Sequence, residues 1–123
     1  DTVFPLGYRK DDYEEVLAMC DAGLMLVPGS DASCRAAMQM CAMEKPMLVA
    51  RRGVLPDIVA DGETGIVVRD TPGRLAEALL EMGRSPQRRE EWGKAARRRM
   101  KEKFSVGRQA DRQIEVYQQL LAR

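Results

Sequence analysis

Residues 23–50 read GLMLVPGSDASCRAAMQMCAMEKPMLVA, and the order of apolar and polar runs in this stretch decides the fold. Leu24-Met25-Leu26-Val27 is a short unbroken apolar run stopped by Pro28-Gly29, the pattern of a strand covered on both faces of a parallel sheet. A polar loop, Ser30-Asp31-Ala32-Ser33, leads into an Ala- and Met-rich segment of helical length over residues 34–43. Glu44-Lys45-Pro46 closes that segment, and a second apolar run, Met47-Leu48-Val49-Ala50, follows at once. Strand, loop, helix and strand make one βαβ crossover, expected to be right-handed. Its first loop falls at the carboxyl end of a parallel strand, where open α/β sheets place their ligands. Any site in this chain should therefore involve residues 28–34.

Working outward, residues 2–7 (TVFPLG) read as a strand entering a loop, with Pro5 suggesting an edge or a strand end. Residues 10–21 follow with Tyr13, Val16, Leu17 and Cys20 at helical spacing and acids at the helix start. After the crossover, residues 54–60 predict a short helix with Pro56 in its first turn. Residues 61–65 (DGETG) predict a turn, and Ile66-Val67-Val68 a further strand. Thr71-Pro72 opens a helix with Leu75, Ala78, Leu79 and Met82 on its core face; Ser85-Pro86 opens the next, with Trp92, Ala96, Met100 and Phe104 along one side. Ser105 is placed to cap a last helix whose stripe is Val106, Ala110, Ile114, Tyr117 and Leu121. The expectation is an α/β domain of about four parallel strands, near residues 2–6, 24–27, 47–50 and 66–68, helices on both faces, and a C-terminal helical extension.

At 123 residues the chain is one domain or part of one, and at 45% apolar and 32% charged residues its composition is that of a soluble globular protein. No apolar run approaches the ~18 residues of a membrane span. The sequence starts at Asp1 and not Met, so we expect a segment of a longer protein, with a removed signal peptide left open. A net charge of +1 argues against wholesale nucleic-acid binding, although residues 88–103 hold eight basic and three acidic side chains, readable as a solvated helix face or as a polyanion surface. Cys20, Cys34 and Cys41 are odd in number and read as small buried hydrophobes in a reducing cytosol. With no histidine, a Cys/His zinc site and imidazole catalysis are excluded, and we expect no metal site. The methionines at 38, 40 and 43 read as core filler.

Several pieces, in order, resemble the C-terminal, nucleotide-sugar-binding domain of GT-B glycosyltransferases of the group 1 (family 4, retaining) type. Val3-Phe4-Pro5-Leu6-Gly7 resembles that family's V-x-F-x-G strand; residues 20–28 (CDAGLMLVP) resemble a-D-x-x-v-x-P-S, and residues 45–50 (KPMLVA) resemble G-x-P-V-V-A. The most specific piece is residues 53–68 (GVLPDIVADGETGIVV), similar to G-G-x-P-E-I-V-x-D-G-x-T-G-x-L-V. Phe104-Ser105 and Val116-Tyr117 resemble the family's e-x-F-S and v-Y endings. The resemblance implies a Rossmann-like three-layer fold, with residues 1–123 a single partial domain whose N-terminal domain and first strand-helix unit lie elsewhere in a longer chain.

It also implies a donor site. The family's E-x-F-G, followed by a second Glu, aligns with Asp31, Ser33-Cys34 and Gln39, and the glycine before K-P aligns with Glu44. In the family the first acid and the amides after it meet the donor sugar, and the second Glu accepts from the ribose hydroxyls. The resemblance thus makes Asp31 the catalytic carboxylate and Ser30, Ser33, Cys34, Gln39, Arg51, Gly53 and Asp57 donor-binding. Free amides at a helix start suit a diphosphate, and a side chain at Cys34 crowds that approach. Read from the residues alone, Asp31 is equally a helix N-cap, Gln39 a solvated polar residue, Asp57 a first-turn acid, and Arg51 and Arg52 exposed loop charges. The implied function is donor binding for a retaining transfer from a nucleoside-diphosphate sugar, the donor a substrate and no cofactor or metal required. The acceptor is open (glycan, lipid or small molecule), the segment alone is expected inactive and self-associating, no specific nucleic acid is expected, and the location is cytoplasmic or at the inner membrane face. The alternative is a degenerate, non-catalytic binding or assembly module, suggested by Ser33, Cys34, Gln39 and Glu44.

Overall fold

The computed structural model describes residues 2–28 and 34–122. In chain order the elements are α1 (Tyr13–Met19), β1 (Gly23–Met25), α2 (Arg35–Ala42), β2 (Met47–Ala50), α3 (Leu55–Ile58), β3 (Gly65–Val68), α4 (Pro72–Arg84), α5 (Pro86–Lys103) and α6 (Val106–Leu121). The described strands form one sheet in the order β1-β2-β3, all parallel, with Gly23, Leu24 and Met25 opposite Met47, Leu48 and Val49. The second ladder sets Met47 to Ala50 against Gly65 to Val68.

Alternation along β2 explains why both sheet faces need cover. Met47 and Val49 pack with Ala37, Met40 and Cys41 of α2, Leu55 and Ile58 of α3, and Ala96 and Met100 of α5. Leu48 packs the other way, with Ile66, Ala78, Met82 and Trp92. All of β2 is buried, as a strand with helices on both faces must be. Helix α5 serves both clusters, and at its Gly93 a Cβ would collide with the Glu44 carbonyl. That glycine lets the α5 backbone sit directly on the end of α2, and Arg97 adds a 2.9 Å bond from Nη1 to the Ala42 carbonyl.

The predicted turn at 61–65 closes on its own side chains. Thr64 Oγ1 accepts from the Ala60 N–H at 2.9 Å and Asp61 Oδ1 from the Val67 N–H at 2.9 Å, so the backbone donors beside β3 are satisfied. Trp92 Nε1 donates to the Gly62 carbonyl at 3.1 Å and ties α5 to that turn. Ser85 and Ser105 cap α5 and α6, accepting from Arg88 and Arg108 N–H at 3.3 and 3.4 Å.

The expected strand at residues 2–6 is corrected: this segment is irregular and exposed, Val3 80% and Phe4 71%. In the doubly wound order 3-2-1-4-5-6, consecutive strands on one side of the switch point stand side by side, as β1, β2 and β3 do, while the strand preceding them in sequence belongs at the opposite edge. Residues 2–6 would then pair with a strand other than β1, and no such strand stands among the described residues. A strand without a ladder partner leaves its amides to water and has no reason to form. The first strand of the crossover is also shorter than the apolar run, stopping at Met25 where the β2 ladder ends.

Candidate functional site

Three loops leave the carboxyl ends of β1, β2 and β3, and two of them meet. Gly53, in the β2–α3 loop, has φ +51, and a Cβ there would lie 2.9 Å from Pro28 Cγ at the end of the β1 run. Cys34 approaches the same residue from α2, its Sγ 3.7 Å from the Pro28 carbonyl oxygen. Pro28, Cys34 and Gly53 thus make a common floor under the mouth of the crossover. Ser30, Asp31 and Ser33 lie outside the described residues.

Cys34 is the N-cap of α2 and is 3% exposed, yet its backbone is left-handed, φ 51 and ψ 45. Glu44, just past the other end of α2, is left-handed as well, with φ 61. Among described non-glycine residues only these two have positive φ. The resemblance expected glycine at both of these positions, so there the backbone keeps a glycine geometry that its side chains resist.

The remaining expected residues divide. Arg51 extends the β2–β3 ladder through its N–H, 2.8 Å from the Val68 carbonyl, with its side chain exposed and no partner among the described residues. Arg52 is already neutralised: its guanidinium pairs with Asp70 across the β2 and β3 ends, and that bond holds the Asp70 carboxyl below the usual carboxylate range. Gln39 is drawn toward α1, where Tyr13 Oη donates to its Oε1 at 3.2 Å. Asp57 faces a groove of about 660 Å³ shared with Lys103, Phe104, Arg108 and Arg112, and its carbonyl accepts from Arg99 Nη2 at 2.7 Å.

The basic stretch at 88–103 is largely spent within the fold. Arg89, Arg97 and Arg99 donate to main-chain carbonyls, and Arg88 and Lys94 pair with Glu81 and Glu90. That favours the reading as a structural helix over a polyanion surface, which needs its cations free for phosphates. Tyr13 was missed from sequence because its helical spacing reads as core and its partner lies in another helix.

Over residues 1–99 the chain matches the family described as glycosyl transferases group 1, and it belongs to that family. Its architecture is the Rossmann-like α/β layer of the GT-B class. A 77-residue stretch, 57% of the chain and 20% of the relative, is 39% identical to alpha-maltose-1-phosphate synthase of Mycolicibacterium smegmatis. Over 112 residues, 89% of the chain and 30% of the relative, it is 24% identical to spore coat protein SA of Bacillus subtilis. Sucrose-phosphate synthase of Thermosynechococcus elongatus superposes with a TM-score of 0.66 at 25% identity, over 80% of this chain and 25% of that one. The chain therefore spans less than a third of the length of each of these three proteins. None of its described helices is long and apolar enough to cross a membrane.

Proposed function

We propose that the chain is the donor-binding part of a retaining glycosyltransferase, holding a nucleoside-diphosphate sugar at the mouth formed by the loops after β1 and β2. The observation that carries this is the meeting of Pro28, Cys34 and Gly53 at the start of α2, where a helix N-terminus and main-chain amides favour a diphosphate. Transfer then depends on electrostatic stabilisation of the departing diphosphate. Arg51 is the exposed cation at the carboxyl end of β2 suited to that task, and Asp31 takes the place of the carboxylate beside the donor sugar. Gln39 and Asp57 orient ribose and sugar. The acceptor side of the cleft, with its glycan, lipid or small-molecule acceptor, belongs to a further domain of a longer chain.

A second reading, a non-catalytic module kept for binding or assembly, is favoured by one observation: buried Cys34 occupies a left-handed position where glycine would leave room for phosphate. A transfer assay separates the two. The longer protein containing this chain, given uridine, guanosine and adenosine diphosphate glucose, is expected to release the nucleoside diphosphate and to form a product of unchanged anomeric configuration by NMR. Asp31→Asn should cut turnover by at least ~10-fold. No release from any of the donors, with the chain folded, would favour the non-catalytic module.

A further inference from the structure

The Tyr13–Gln39 contact joins the start of α1 to the middle of α2, between a half-buried Tyr13 and an exposed Gln39. Its effect is on direction. A glutamine side chain ends in one acceptor and one pair of donors on opposite sides of a planar amide. With one lone pair of Oε1 engaged by the Tyr13 hydroxyl, the amide plane is held, and no described residue bonds Nε2. Gln39 lies one and a half turns into α2 from Cys34, about 7 Å along the helix axis from the mouth.

We infer that Tyr13 is a positioning residue of the donor pocket: by fixing the Gln39 amide it turns Nε2 toward the nucleotide, so that α2 offers a hydrogen-bond donor to the ribose oxygens. This rests on the donor reading above. A carboxylate at position 39 would offer only acceptors, and its two oxygens are equivalent, so it would need no partner to choose its orientation. An amide does need one. Nε2 therefore meets the lone pairs of the ribose hydroxyls, and Tyr13 is the residue that sets this orientation.

The test is a double-mutant cycle on the chain as it stands, by NMR titration with uridine diphosphate of the wild type, Tyr13→Phe, Gln39→Glu and the double variant. Tyr13→Phe is expected to weaken binding roughly 3- to 10-fold, the worth of one hydrogen bond, with the dispersion of the core resonances unchanged. In the Gln39→Glu background the same substitution should change binding less than about 2-fold, because a symmetric carboxylate loses no orientation. An equal cost in both backgrounds would make Tyr13 merely structural and overturn the inference while leaving the donor site standing. Absence of any shift at residues 28–57 in all four proteins would overturn the donor reading and the inference with it.

Discussion

Two residues hold α2 in a geometry they resist. Left-handed backbone costs a side-chain-bearing residue roughly 1–2 kcal/mol, and Cys34 and Glu44 bear that cost at the two ends of the helix. Glycine would relieve it but would also loosen the unfolded chain by ~0.4–1 kcal/mol, so the expected net gain is ~0.5–1 kcal/mol for Cys34→Gly, reduced by the packing of its buried thiol. Glu44→Gly should gain about as much, since the 3.8 Å approach of Arg97 to an exposed Glu44 carries little. Urea unfolding of the two variants checks both, and a loss of stability in each would show that the side chains are native anchors. The thiols make a second expectation. Burial pushes Cys41 up to about 11, above its ordinary 9.0. The folded state therefore keeps its proton longer than the unfolded one, so this contribution to stability is whole below pH ~9 and falls away as pH rises toward 11, by an amount on the order of 2 kcal/mol. At pH 8 a thiol reagent should modify half-buried Cys20 first and reach Cys41 only on unfolding.

At the scale of elements, glycine substitutions should change sign with location. Gly83 in α4 faces open space, so Gly83→Ala should stabilise by up to ~1 kcal/mol through helix propensity alone. Gly93 in α5 sits against the Glu44 carbonyl, so Gly93→Ala should destabilise by ~2 kcal/mol or more despite the same propensity gain. Thermal melts of the pair test the packing of α5 on α2 directly. The crossover itself was legible in sequence because β2 is buried on both faces and an unbroken MLVA run has no other home in an α/β chain. The turn at 61–65 was legible for its glycines and Asp61. What could not be read was whether TVFPLG would pair, because a strand is a property of two segments and the apolar pattern describes one. Cys34 and Glu44 were legible as departures from glycine, but that the backbone would stay left-handed without it was not. Tyr13 beside Gln39 was illegible for the same reason, being a contact between helices whose spacing gives only their own faces.

For the whole molecule, α6 is the unfinished part. Its Val106, Ile114, Tyr117 and Leu121 stripe remains exposed, and no residue of α6 is buried. Helix formation needs a packed apolar face for most of its stability, so this helix should fray in isolation and drive association through the stripe. Light scattering at rising concentration should show a mass above the monomer, and replacing Ile114 and Tyr117 with Asp should return it to 13.8 kDa. On the donor reading proposed above, with Arg52 spent on Asp70 and Cys34 crowding the mouth, nucleoside diphosphates should bind at about 1 mM or weaker, about 4 kcal/mol or less. The measurement that tests the donor site most directly is an NMR titration with uridine and guanosine diphosphates to ~10 mM, scaled to that affinity. Shifts gathered at residues 28–39 and 51–57 are the predicted result; shifts confined to residues 88–103, or none at all, would contradict it.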